Sequence, residues 1–222
     1  MNVSHRFVIV TAIFVTCFIT ANIVGVKMFH IGPIVLPAAV ILFPLSYILG
    51  DILTEVYGYK QARRVIWLGF FCNLLFVLIA WVGGKLPPAP GWEWQGAYNS
   101  ILGSTPRLLV ASVFGYLAGE FGNSFVLAKM KILTKGRWLW SRTIGSTIVG
   151  EGLDTVIFIP GAYAGEPFFT PMTILYHWIA KILIEAMATP VTYAVVNYLK
   201  RKEAIDTYDY ATNFSPFSIE IG

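Results

Sequence analysis

Glu151 and Asp154 stand three residues apart in a run that is otherwise apolar or small, Thr147-Ile148-Val149-Gly150-Glu151-Gly152-Leu153-Asp154-Thr155-Val156. On a helix that spacing puts both carboxyls on one face, and Ser146, Thr147 and Gly150 make the surrounding surface narrow and polar. Such a face can line a cavity for a substrate or an ion, or it can be a buried pair that only holds helices together. Lys181 and Glu185 form an i, i+4 pair with His177 one turn earlier. They can neutralise one another, and Lys181 can also snorkel to an interface. Glu120 precedes Asn123 by three residues beside the small pair Gly115 and Gly119, and Asn22 brings a further amide. Asp51 and Glu55 are i, i+4 with Tyr47 one turn before; they fit either an inner gate with Arg63 and Arg64 or a fixed loop. Pro190 follows Thr189 inside an apolar run, where proline frees a carbonyl and kinks a helix.

Separate carboxylates, amides and aromatics suit a small planar ligand that offers N–H donors, such as an amino-purine-like ring stacked on Phe, Tyr or Trp. An inorganic cation or a vitamin fits nearly as well. No P-loop, dinucleotide fingerprint or HExxH occurs, and the histidines at positions 5, 30 and 177 lack metal-ligand spacing. Cys17 and Cys72 both sit in apolar runs and read as small hydrophobes. The chain is therefore expected to be neither an enzyme nor a holder of a metal or cofactor.

The elements that must position these groups follow from composition. The chain has 222 residues, 56% hydrophobic and 13% charged, with mean hydropathy +0.67. The charged share is about half that of a typical soluble domain. Disorder is excluded, because such a chain collapses. The uncharged stretches Phe7–Val26, Met28–Gly50 and Val65–Gly84 are each long enough to cross a hydrocarbon core of about 30 Å. The expected fold is an all-α polytopic membrane protein with six transmembrane helices at 7–26, 34–54, 65–83, 107–128, 143–160 and 173–199. Residues 1–203 form the transmembrane domain and 204–222 a polar and aromatic cytoplasmic tail. Phe7–Val26 reads as the first helix, since no convincing cleavage signal follows it. Gly84–Pro106, with Trp92 and Trp94, is expected to lie along the membrane surface. Gly115 with Gly119, and Ser146 with Gly150, have the spacing that lets membrane helices approach closely.

Of the 16 Lys and Arg, 12 fall at Arg6, in the second and fourth connections and after Leu199. By the positive-inside rule this places both termini in the cytoplasm. The net charge of +4 is then topology information and implies no nucleic-acid partner.

Several runs carry more than their spacing: Ala21-Asn22-Ile23-Val24-Gly25-Val26-Lys27, then Phe43-Pro44-Leu45-Ser46-Tyr47-Ile48-Leu49-Gly50-Asp51-Ile52-Leu53-Thr54-Glu55-Val56-Tyr57-Gly58-Tyr59, Gly119-Glu120-Phe121-Gly122-Asn123-Ser124, Arg142 to Glu151, Asp154-Thr155 and Thr189-Pro190-Val191-Thr192-Tyr193. From about Ala21 to Glu203 the chain resembles the queuosine precursor transporter family, also called the vitamin uptake transporter family. The resemblance implies an importer in the bacterial inner membrane for 7-cyano-7-deazaguanine and 7-aminomethyl-7-deazaguanine, precursors used in tRNA modification, or for the free base queuine. It also implies a fold similar to the substrate-binding subunits of energy-coupling-factor vitamin transporters, working without their ATPase module. The matching polar positions are Asn22, Asp51, Glu55, Glu120, Asn123, Arg142, Glu151, Asp154 and Lys181. Gly122 departs from the pattern, where a bulkier residue is expected.

On this reading Glu151, Asp154, Glu120, Asn123, Asn22 and Lys181 bind substrate, while Asp51, Glu55, Arg63, Arg64 and Pro190 gate or couple. The partners are the deazapurine, the lipid bilayer and a second copy of the chain. The alternative is a vitamin- or nucleobase-binding membrane subunit that depends on a partner ATPase module. An intramembrane enzyme would need a catalytic element that Glu151 and Asp154 lack, and an inert structural bundle would lose stability on Asp154→Asn without a selective uptake defect.

Overall fold

The computed structural model describes residues 4–32, 34–103, 106–166 and 169–218. Helix α1 (His5–Val24) starts at Ser4, whose hydroxyl accepts from the Phe7 amide at 3.1 Å and so satisfies one free donor of the first turn. A β-hairpin follows, β1 (Met28–Ile31) antiparallel to β2 (Ile34–Pro37) with Met28 opposite Pro37. Gly32 supplies the left-handed φ of +57° that this turn needs. A 3-10 turn over Ala38–Ile41 leads into α2 (Phe43–Tyr57), which has proline in its first turn. Next come α3 (Tyr59–Lys85), the short α4 (Gln95–Ile101), α5 (Pro106–Leu133), α6 (Leu139–Tyr163) and α7 (Pro171–Glu203). Helix α7 opens at Thr170, which is locked to Thr173 by reciprocal capping bonds.

Helix α2 is central, with nearly every residue buried, and α1, α3, α5 and α7 pack around it. The outer faces are apolar: Leu68, Phe71, Leu75 and Ile79 of α3, Leu183 and Met187 of α7, and Phe114 of α5 are exposed. Buried positions hold Asp51, Glu120, Arg142, Glu151 and Lys181 instead. A polar interior under an apolar coat is the arrangement a bilayer selects, because a charge facing lipid goes unsolvated.

The expectation of six transmembrane helices is corrected. Among the described residues there are seven α-helices, and only four segments are long and apolar enough to cross a membrane: α1, Ala38–Tyr57, α3 and α7. Helices α5 and α6 have the length, but glycines and polar side chains distributed along them, from Ser112 through Glu120 and Asn123 and from Arg142 through Asp154, take them out of that class. Four crossings, like six, would keep both termini on one side of the membrane. The helix expected at 34–54 is likewise shorter than its apolar run. Ile34–Pro37 pairs with Met28–Ile31 as a hairpin, and a 3-10 turn precedes α2. Gly84–Pro106 contains α4, whose Tyr98 hydroxyl donates to the Ala80 carbonyl at 3.1 Å.

The chain after α7 folds back over one end of the bundle. Asp209 is buried and its carboxylate accepts from the Tyr59 amide at 3.0 and 3.2 Å, capping α3 in place of Gly58, which has no side chain to offer. Gly58 has φ +83°, and a Cβ there would lie 2.6 Å from Thr207 Cγ2. The two indispensable features of the α2–α3 turn, its left-handed backbone and its tail contact, thus coincide at one glycine. Trp67 Nε1 donates to the Pro216 carbonyl at 2.9 Å, and Lys129 Nζ lies 3.9 Å from the Phe214 ring centroid.

Candidate functional site

Helices α5 and α6 touch along their small residues. A Cβ on Gly150 would lie 2.6 Å from Asn123 Cβ and 2.8 Å from the Gly119 carbonyl, and one on Gly115 would lie 2.7 Å from Asp154 Oδ1. Gly122 leaves room for Leu153, whose Cδ1 would be 2.7 Å from a Cβ there. The missing side chains let the two backbones approach, and this puts Glu120 and Asn123 beside Glu151 and Asp154.

Lys181 joins that surface to α7. Its ammonium is 2.5 Å from Asp154 Oδ2 and 2.7 Å from Glu151 Oε2, with Thr155 Oγ1 at 3.5 Å. The expected pairing with Glu185 on its own helix is not made: Lys181 reaches across to α6, and Glu185 is left with neither oxygen bonded. Phe43 lies 5.0 Å from the ammonium, and His177, one turn before Lys181, is buried beside it.

Around this bridge the buried acceptors outnumber the donors. Both oxygens of Glu120 and Glu185, Asp51 Oδ2, Glu151 Oε1 and Asn123 Oδ1 lack a hydrogen-bond partner, as do the Tyr47 and Thr147 hydroxyls. Most buried polar groups in folded proteins are paired, so a cluster of open acceptors marks a place that a donor-rich molecule can complete. Two small cavities flank it on the hairpin side, each of about 10 Å³ and sharing Pro37, Phe43 and Phe158; one touches Lys181 and the other Asn22. Each has room for roughly one water.

Asn22 belongs to a separate knot. It donates to Asn73 Oδ1 at 3.0 Å and accepts from the Ser112 hydroxyl at 2.6 Å, tying α1 to α3 and α5. Asp51 lies in the core, accepting from Asn123 Nδ2 at 2.7 Å and from Ser146 Oγ at 3.5 Å. Glu55 is buried among cations: Arg142 at 2.8 Å, Lys200 at 2.6 Å and Lys131 at 3.6 Å.

Arg63 and Arg64 are not brought to Asp51 or Glu55. Arg63 donates to the carbonyls of Asn213 and Ser215 in the tail, at 2.9 and 2.8 Å, and Arg64 contacts Gln61. Lys131 and Lys200 hold the positions expected of the arginines, and both also bind Asp206. Partial burial pushes the Asp206 carboxyl up, but hydrogen bonds and charge from Lys131 and Lys200 hold it below its ordinary value. Lys131 looks in the sequence like one more loop charge, but it is buried between α2 and the tail, donating to the Glu55 and Thr207 carbonyls at 2.6 and 2.7 Å. Arg107 plugs the end of α6, donating to the carbonyls of Gly161 and Ala164 at 2.7 and 2.6 Å, where a cation also meets the negative end of the helix dipole.

A family model described as "Putative vitamin uptake transporter" matches residues 37–195. The chain belongs to this family, the queuosine precursor transporters. It is 25% identical over 191 residues, 83% of this chain and 82% of the other, to a "Probable queuosine precursor transporter" of Bacillus subtilis (strain 168). It is 25% identical over 143 residues, 64% of this chain and 61% of the other, to a "Queuosine precursor transporter" of Escherichia coli (strain K12). No solved structure matches it. Membership gives this multi-pass membrane protein a transport role and not a catalytic one. The family match takes in the whole acceptor cluster from Tyr47 to Pro190, whereas Asn22, Lys200 and the tail lie outside it.

Proposed function

We propose that this transporter imports 7-deazapurine precursors of queuosine, 7-cyano-7-deazaguanine and 7-aminomethyl-7-deazaguanine, across the bacterial inner membrane for tRNA modification. The observation that carries the reading is the buried cluster of open acceptors around the Lys181 bridge. A guanine-like edge offers adjacent ring N–H and amino donors, which carboxylates accept in pairs. Glu151 and Asp154 would take that edge in exchange for part of their contact with Lys181, with Glu120 and Asn123 completing the lining. The relatives' names point to the same substrate class. Phe43 and Phe158, at the two small cavities, are the faces on which a ring would stack, and admitting one requires the surrounding helices to part. Proline at 190 weakens α7 beside the cluster and suits such a movement. Asn22 would act at the edge of the site and Glu55 at its closed end.

The experiment is rescue of tRNA queuosine in a bacterial strain that neither makes nor imports the precursor, supplied with 7-cyano-7-deazaguanine in the medium. Expression of this chain alone is expected to restore queuosine, and Asp154→Asn to abolish the rescue at equal protein level. A requirement for an added ATPase module would favour the partner-dependent subunit. No rescue with either precursor or with queuine would sink the substrate assignment. Cross-linking of the working protein in membranes would show whether it acts as a homodimer.

A further inference from the structure

We propose that Glu185 carries a coupling proton, so that the proton gradient drives substrate uptake. The inference rests on the core being the substrate site, and it assigns to that site the ion that powers it.

Glu185 is 1% exposed and neither carboxyl oxygen has a partner. Asp51 of α2, Glu120 of α5 and Glu151 of α6 face it within electrostatic reach. Tyr47 of α2, Tyr116 of α5, Asp154 of α6 and His177 and Lys181 of α7 are further titratable groups of the cluster, and the charge of Arg142 on α6 reaches Asp51. Among these described residues five carboxyls face two cations, and Lys181 already spends its charge on Glu151 and Asp154 while Arg142 is bonded to Glu55. A low-dielectric interior does not hold that many uncompensated negative charges, so protons reside there. Among the described residues no group of three or more His, Cys, Asp or Glu side chains is placed to hold a metal ion, which suits a proton better than a metal cation that needs several oxygen ligands.

The position of Glu185 separates it from Glu120. The Thr189 hydroxyl donates to the Glu185 carbonyl at 3.0 Å, and Pro190 follows at once. Proline has no amide hydrogen to give the preceding turn. The carbonyl left without its helix donor is that of Ala186, the residue after Glu185, so α7 is weakened beside Glu185 and bending there moves the carboxyl relative to α2, α5 and α6. Glu185 takes a proton from water when the site faces the proton-rich side and returns it to water on the other. One proton crosses per substrate, and with a neutral substrate one positive charge moves.

The test uses the purified chain in proteoliposomes with labelled 7-cyano-7-deazaguanine. Under an inward proton gradient the wild type should accumulate the probe about tenfold per unit of pH difference, as one-proton coupling requires. Glu185→Gln should lose accumulation while keeping the wild-type gel-filtration profile, which shows that it is folded. Glu185→Asp, which keeps the ionisable group, should retain accumulation. Wild-type uptake that only equilibrates, or that follows a sodium gradient, overturns the proposal. Loss of exchange of labelled for unlabelled probe in both variants also overturns it, because Glu185 would then be part of the substrate contact or the packing. Absence of any wild-type exchange is a different result, since it removes the substrate reading on which the coupling rests.

Discussion

Lys181 and Asp154 are 27 residues apart in sequence and 2.5 Å apart in the structure, the shortest arm of a bridge that also takes in Glu151. This bridge and the glycine contacts of α5 decide where the carboxylates of α6 point. Removing the cation leaves two buried carboxylates facing one another, and breaking a buried pair typically costs about 3–5 kcal/mol. Lys181→Met should lower the thermal midpoint in detergent by a corresponding amount. Adding Asp154→Asn should recover part of the loss, giving a positive coupling in a double-mutant cycle; simple additivity would mean that the bridge does not hold the helices.

Gly150 tests the close approach of α5 and α6. An alanine methyl there meets the Asn123 Cβ and the Gly119 carbonyl, neither of which can swing aside, so Gly150→Ala should cost about 1–3 kcal/mol by overpacking. Gly152, two residues on, would meet only the Trp178 ring at 3.4 Å, and Gly152→Ala should be close to neutral. Equal melting midpoints for the two variants would refute the tight contact.

Asp209 caps α3 from the far end of the chain. Asp209→Ala should cost about 0.5–2 kcal/mol, the range for loss of a capping side chain. Hydrogen exchange should quicken first at the amides of Tyr59 to Ala62. Unchanged protection there would show that the tail does not cap the helix.

The tail should also respond to acid. Lys131 and Lys200 hold the folded Asp206 carboxyl below its ordinary value. A group lowered in this way adds stability above its unfolded value of about 4, and the contribution is lost as pH falls through the lower folded value. Cleavage of the tail by an acid-tolerant protease should therefore rise below about pH 4. Asp206→Asn should be cleaved more readily already at neutral pH and should lack the Asp206 part of the acid response.

Much of the helical framework was legible in the sequence, because a bilayer demands long apolar runs and each run announces itself. Helices α1 and α3 lie on the uncharged stretches Phe7–Val26 and Val65–Gly84. Glu151 with Asp154, and Gly115 with Gly119, fall on the faces that helical spacing assigns them. The hairpin at Met28–Pro37 was not legible, since short apolar runs such as Ile34–Pro37 read as helix or strand until the partner strand is known. The number of crossings was over-read for a related reason: α5 and α6 have membrane-helix length, but their polar side chains serve the interior of a bundle.

Composition and local spacing alone determined that the chain enters a membrane, where α1 and α3 lie and which carboxyls share a helix face. These properties depend on the solvent and on residues within a turn or two of each other. Which charges meet was decided by tertiary structure. Lys181 chose Asp154 and Glu151 over its own-helix neighbour Glu185, and Glu55 found Arg142, Lys200 and Lys131 while Arg63 went to the tail. An ion pair is set by distance in space and by the lack of water around it, and both arise only when helices far apart in sequence have packed.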